Sequence, residues 1–238
     1  MRFRPSPWLT LAALLVLAAL LGLGTWQLQR LAWKDELNAV RTVRLAAPPQ
    51  ALSPAEIAAR GADPGLDLQP VVVTGHFDHG REFLLHSRVR DGRVGRGLLT
   101  PLVDASGTAI LVDRGWLPPP GPAVTWSRPE GPQRAAGWLR LPPAPGPFAA
   151  ANDAARGQWL HVDASAMGAA ADLKLAALYL IVAPAAAPDG LPVARAPDAV
   201  LPSPHLGYAL TWFGLAAALV GVWASTGIVR SRQRESDT

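Results

Sequence analysis

Near the end of the chain an imidazole stands at the mouth of a long uncharged run, Pro204-His205-Leu206-Gly207-Tyr208-Ala209-Leu210-Thr211-Trp212-Phe213. At about 100° per residue, His205, Tyr208, Ala209, Trp212, Ala216, Leu219 and Trp223 share one stripe of a helix. A neutral imidazole keeps a lone pair for a metal, and flanking rings suit a flat apolar cofactor, so this stripe has the chemistry of an axial haem ligand. The same residues also serve as ordinary interfacial anchors, with His205 a solvated helix end. On the residues alone the interfacial-anchor reading is favoured. The opposite stripe, Gly214, Ala218, Gly221 and Ser225, is small throughout and is expected to pack against another helix.

A second group of candidate ligands is His76-x-x-His79 with Asp78 and the later His86. Imidazole plus carboxylate suits copper or zinc, provided His76 ends one strand and His86 lies on the next. A polar hairpin tip is the simpler reading and is favoured; His161 stands by itself and is read as structural. Arg114-Gly115-Trp116, at the end of an expected strand, either supplies a special backbone angle or faces a partner. No nucleophile elbow, phosphate loop or Gly-x-Gly-x-x-Gly turn accompanies the scattered Ser, His and Asp, so the chain is not expected to be an enzyme. The absence of cysteine excludes disulfides, thiolate metal sites and cysteine nucleophiles.

The elements that hold these groups begin with two apolar runs. Leu206 to Val229 is 24 residues without a charge, more than the roughly 20 a helix needs to cross a hydrocarbon core. Trp8 to Gly24 is 17 residues and spans only marginally, with Trp26 extending it into the interface. A cleaved signal peptide competes there, since Gly22-Leu23-Gly24 is a small-x-small pattern, but a retained helix is favoured. No breaker follows, and Gly22, Trp26, Gln29 and Trp33 stay on one stripe, so the helix is expected to run on out of the membrane. Arg2 and Arg4 before the first run, and Arg230, Arg232 and Arg234 after the second, put both termini in the cytoplasm. Only seven residues precede the first span, too few for an Arg-rich presequence, which points to a bacterial inner membrane. The expected division is residues 1–7 cytoplasmic, 8–26 spanning, 27–204 periplasmic, 205–229 spanning and 230–238 a cytoplasmic tail. Lys plus Arg exceed Asp plus Glu by 22 to 18, and the excess is scattered arginine without a basic stripe, so nucleic acid is not an expected partner.

Between the spans the chain reads as one α+β domain. Ser53-Pro54-Ala55-Glu56 is a capping box with proline at the first helical position, predicting a short exposed helix to Arg60 that stops at Gly61. Strands are expected at Gln69–Phe77, Arg81–Ser87, Gly97–Val103, Thr108–Trp116, Arg134–Leu141, Gln158–Val162 and Ala177–Ala183, with turns at Asp91-Gly92 and Ser106-Gly107. Asp163 can cap a helix through Ala171, and prolines between Pro118 and Pro132 and between Pro142 and Pro147 mark extended loops. Short turns between strands argue an antiparallel sheet rolled toward a barrel, flanked by the two spanning helices.

Several of these stretches carry a resemblance. Gly24-Thr25-Trp26-Gln27-Leu28-Gln29-Arg30-Leu31-Ala32-Trp33-Lys34 resembles the G-x-W-Q-L-x-R-x-x-W-K run that follows the first span in the Surfeit-one (Surfeit locus) family of cytochrome c oxidase assembly factors. The middle region of that family is similar at Val73-Thr74-Gly75-His76-Phe77-Asp78-His79, at Leu111-Val112-Asp113-Arg114-Gly115-Trp116-Leu117-Pro118 and at Gly137-Trp138-Leu139-Arg140, and its C-terminal signature is similar at Pro204 to Ala216. The family more often has Asn where Asp113 stands, and usually Asn just before the histidine, where this chain has Ser203 and Pro204. The resemblance implies a factor that binds haem a and assists its insertion into the catalytic subunit of haem-copper cytochrome c oxidase, with haem a synthase a further candidate partner. The family's second-span histidine, regarded as a haem ligand in bacterial members, maps onto His205. With it, Tyr208, Trp212, Trp26 and Arg30 are the expected cofactor residues: the haem would sit between the outer ends of the spans, with Arg30 and Lys34 meeting the propionates. A cofactor-free membrane scaffold that stabilises an oxidase subunit is the alternative.

Overall fold

A computed structural model describes residues 6–122, 124–184 and 190–236, the stretch 227–236 by backbone alone. Arg2 and Arg4, and the side chains of Arg230, Arg232 and Arg234, lie outside the described residues. The chain divides into two compact units, Met1–Val40 with Val200–Thr238, and Arg41–Ala199.

The first unit is built on two helices, α1 at Pro7–Leu45 and α4 at His205–Ser236. Both are long and apolar enough to cross a membrane. Large side chains such as Trp8, Leu14, Leu15, Leu210 and Val222 stay exposed along them, an apolar surface that fits a membrane protein. At 1.5 Å per residue the 39 residues of α1 extend about 58 Å, nearly twice a hydrocarbon core. The helix therefore outruns any span, as the unbroken Trp26–Lys34 stretch predicts, and stops only before Pro48-Pro49.

The second unit is a small barrel. Its strands are β1 (Gln50–Ala51), β2 (Pro70–Phe77), β3 (Phe83–Arg90), β4 (Arg93–Val103), β5 (Thr108–Leu117), β6 (Pro132–Arg140) and β7 (Lys174–Val182). They run in the order β1-β2-β6-β7-β5-β4-β3, and β2 pairs again with β4 at His76–Val103 and Phe77–Leu102, which closes a ring of β2, β6, β7, β5 and β4. The sheet is not antiparallel throughout as expected: β5 and β7 are parallel, as are β1 and β2. Closure explains the first pair, because an odd number of strands cannot alternate direction all the way round a ring.

Val71, Val73, Leu102, Ile110, Val112, Leu139, Leu178 and Leu180 come from all five ring strands and form one buried cluster, which places it inside the barrel. A second cluster, with Phe83, Leu85, Leu99, Leu111, Trp159 and Met167, lies on the outer face of β4 and β5, under the first helix that follows them in the chain. That helix is α3, Ala164–Ala171, and Asp163 caps it as predicted by accepting from the Ala166 N–H. The capping box at Ser53 and Glu56 also forms, starting α2 at Pro54–Ala59. It is no exposed prop, however, since Ile57 is fully buried in the barrel cluster. Expected turns at Asp91-Gly92 and Ser106-Gly107 are present, with positive φ at Asp91, Gly92 and Gly107. The expected strand at Gln158–Val162 reduces to single bridges, Leu85 with Trp159 and Asp153 with Gln158, because this segment covers the second cluster instead of joining the ring.

Candidate functional site

His205 is the first residue of α4, and three local features fix it. The Pro204 carbonyl accepts the first helical bond, from the Tyr208 N–H, so the N–H that proline lacks is not needed at this position. One turn earlier, the Asn38 side chain clasps Leu201: its Oδ1 accepts from the Leu201 N–H at 2.9 Å, and its Nδ2 donates to the Leu201 carbonyl at 3.2 Å. The third feature is the buried amide of Gln27, whose Oε1 lies 2.7 Å from Nδ1 of His205. A carbonyl oxygen can only accept, so with the amide oxygen toward the ring Nδ1 is the donor and a neutral imidazole keeps its lone pair on Nε2. Nε2 has no hydrogen-bond partner among the described residues.

Further along the same two helices, Gly24 faces the Phe213 ring and Trp223 Nε1 donates to Thr10 Oγ1 at 3.1 Å. Ala209 and Ala216 are buried. Contacts at 10 with 223, 24 with 213 and 27 with 205 make α1 and α4 an antiparallel pair, and they reverse the expected packing seam. The aromatic stripe of His205, Ala209, Ala216 and Trp223 faces α1, whereas a Cβ at Gly214 or Gly221 would meet nothing, and Ala218 and Ser225 are exposed. The physical reason is Gly24. A glycine on α1 makes room for a ring on α4, so the small residue and the large one sit on opposite partners.

The remaining expected cofactor residues line the outside of this pair. Trp26 and Tyr208 are 53% and 55% exposed, and Trp212 is half-buried. Arg30 is exposed and lies 3.9 Å over the Trp33 ring, and Lys34 is half-buried. Gln27 and Asn38, which hold His205 and the chain before it, escaped the sequence reading. Both were visible as uncharged amides on the stripe that contains Gly24 and Leu31, one helical face away from Trp26 and Trp33.

The histidines of the barrel unit do not form a metal set. β4 lies between β2 and β3, so His76 and His86 stand on strands that do not adjoin. Asp78 caps the turn at His79–Arg81, and both ring nitrogens of His79 are engaged, Nδ1 by Glu82 at 3.2 Å and Nε2 by the Pro129 carbonyl at 2.9 Å. Among the described residues no three His, Asp or Glu side chains converge as ligands would.

What the barrel does build is a buried polar node on Glu82. Its carboxylate accepts from Arg128 at 2.8 Å, Trp126 Nε1 at 3.2 Å and Thr100 Oγ1 at 3.2 Å, and Arg114 Nη1 lies 3.6 Å away. Burial alone would raise the Glu82 pKa, but the donors Arg128, His79 and Trp126 together outweigh it and hold the carboxyl below its usual range. Arg114 reaches this node through a bulge. Leu98 pairs with Gly115 and Leu99 with Asp113, so Arg114 is the extra residue and its side chain turns inward. Gly115 takes φ +122°, and a Cβ there would collide with the Val193 carbonyl. The Asp113-Arg114-Gly115-Trp116 motif is thus a backbone device that aims an arginine.

Comparison with known proteins fits this geometry. The model of the SURF1 family matches residues 14–217, from within α1 through the barrel to within α4, and so includes the Gly24–Lys34 stretch and His205. The chain is 32% identical over 240 residues to Surfeit locus protein 1 of Mus musculus, across 88% of this chain and 72% of that protein. It is 29% identical over 225 residues to a SURF1-like protein of Rickettsia felis, across 90% and 94% of the two. With a match that begins in one apolar helix, traverses the barrel and ends in the other, the chain belongs to the SURF1 family.

Proposed function

We propose that this chain is an assembly factor for haem-copper cytochrome c oxidase that holds haem a through His205 and assists its insertion into the oxidase catalytic subunit. Family membership supports the oxidase role. The haem reading is carried by one observation, the Nδ1–Gln27 hydrogen bond. Metal-bound imidazoles ordinarily donate their other N–H to an acceptor, and here that bond leaves the Nε2 lone pair free, so the donor fits a haem iron. Haem a supplies the iron and the porphyrin plane. Trp212, Tyr208 and Trp26 offer rings near the same ends of the helices, and Arg30, with its Cζ 3.9 Å from the centre of the Trp33 ring, is a cation for a propionate. Holding and releasing a cofactor needs no nucleophile or general base, so the role is that of a carrier and not of an enzyme.

The same reading places both helices across a bacterial inner membrane, with both termini cytoplasmic and the barrel unit periplasmic. The arginines that flank the apolar runs support that orientation. The catalytic subunit is then the first partner and haem a synthase a second. To test the ligand, parent and His205→Ala are expressed with haem a synthesis switched on, purified, and compared for Soret spectrum and haem content. Loss or shift of the Soret band in the variant is expected. A parental spectrum at parental stoichiometry would exclude His205 as ligand and leave the cofactor-free scaffold as the better reading.

A further inference from the structure

We propose that Gln27 is the positioning residue of this site, setting both the tautomer and the ring orientation of His205. This deepens the haem reading above and rests on it. The amide has two different ends, and only one of them leaves a ligand. With Oε1 toward the ring, as observed at 2.7 Å, Nδ1 is the protonated nitrogen and Nε2 carries the lone pair. With the amide reversed, its NH2 would donate to Nδ1, the proton would sit on Nε2, and the imidazole could not bind a metal there. Gln27 is held where it can make this choice. It is buried, it stands three residues beyond Gly24, and the Phe213 ring against Gly24 sets its height along α4. On the other side, the two-way Asn38 clasp on Leu201 fixes the chain that leads into His205. The imidazole therefore meets its acceptor from a fixed backbone on both helices, which is the preorganisation a ligand requires.

The test reads the tautomer in the protein without haem and the affinity with it. Full-length protein labelled with 15N-histidine is purified in detergent, and two-bond 1H–15N correlation at about pH 8.5, where an ordinary imidazole is neutral, reports which nitrogen of each ring holds the proton. His205→Ala assigns the resonance among the five histidines. The parent should show the Nδ1–H form at His205. Gln27→Leu, similar in volume but without an acceptor, should lose that form and weaken haem a binding by about 10–100-fold, the usual cost of removing such a partner. Gln27→Glu, which restores an acceptor, should keep the Nδ1–H form and recover the affinity, which a purely packing role for the side chain would not produce. An unchanged Nδ1–H form in Gln27→Leu, or a Nε2–H form in the parent, would overturn the proposal. The ligand reading fails separately, through a parental Soret spectrum in His205→Ala, and the tautomer measurement does not depend on it.

Discussion

Replacing Glu82 by Gln should unfasten one end of the barrel. Arg114 and Glu82 are buried side chains, 4% and 7% exposed, and the carboxylate is the charge that faces the guanidinium. Removing one member of a buried pair typically costs about 3–5 kcal/mol, because the remaining charge is left uncompensated. Arg114 keeps some support, since Nη2 still donates to the Ser127 carbonyl at 2.6 Å and its Cζ lies 5.1 Å from the centre of the Phe77 ring. The Arg128 contact is half exposed and adds less than about 1 kcal/mol. The lower end is therefore expected, about 3 kcal/mol, which for a chain of this length lowers Tm by about 6–12 °C. The loss should be local at first. Trp126, Ser127, Arg128 and Pro129 are four consecutive residues tied to Glu82, Arg114 or His79, so amide exchange should rise across the proline-rich stretch before the ring strands open. Acid should mimic the substitution: a carboxyl held below its usual range adds stability above that range, lost as pH falls through the depressed value. Glu82→Gln should be blind to that part of the acid transition. Combining Glu82→Leu with Arg114→Met should recover much of the loss, as apolar replacement of a buried pair often does. A Tm for Glu82→Gln within about 1 °C of the parent, or unchanged exchange in the stretch, would refute the reasoning.

Three further outcomes are expected. Gly24→Leu puts a side chain into the Phe213 ring and should destabilise the helix pair by about 1–3 kcal/mol, whereas Gly221→Leu, with nothing in reach, should stay within about 0.5 kcal/mol; thermal unfolding in detergent distinguishes them. Burial pushes the Asp113 carboxyl up against the pull of Arg88 and the Gly115 N–H, so its contribution is lost as pH rises through the raised value. Asp113→Asn keeps an acceptor for the Gly115 N–H and should raise Tm at neutral pH but not in acid; a lower Tm at neutral pH would contradict this. A reporter active only in the periplasm should give signal when inserted at Gly146, in an open loop, and none when fused after Thr238; signal at the C-terminus would overturn the proposed orientation.

Local chemistry carried much of the architecture. The capping box at Ser53, the Asp163 cap and the Asp91-Gly92 turn each depend on residues within four positions of one another, so they could be read without a partner. The two apolar helices and the candidate ligand His205 were legible for the same reason, being matters of composition and of position in a run. Closure of the barrel was not. The β2–β4 pairing joins residues more than twenty positions apart, and the parallel β5–β7 pair follows from the parity of the ring, which no local stretch contains.

The site divides in the same way. Helical periodicity alone put His205, Ala209, Ala216 and Trp223 on one stripe and Gly214 and Gly221 on the other, and both stripes exist. Which stripe would be buried depended on α1, where Gly24 opens a space that the Phe213 ring fills. Gln27 and Asn38 look like incidental amides in the sequence, because their partners, His205 and Leu201, are 178 and 163 residues away. The sequence by itself determined that an imidazole stands at the head of an apolar helix. Only the tertiary structure decided what meets its Nδ1, because the amide across that hydrogen bond comes from the other end of the chain.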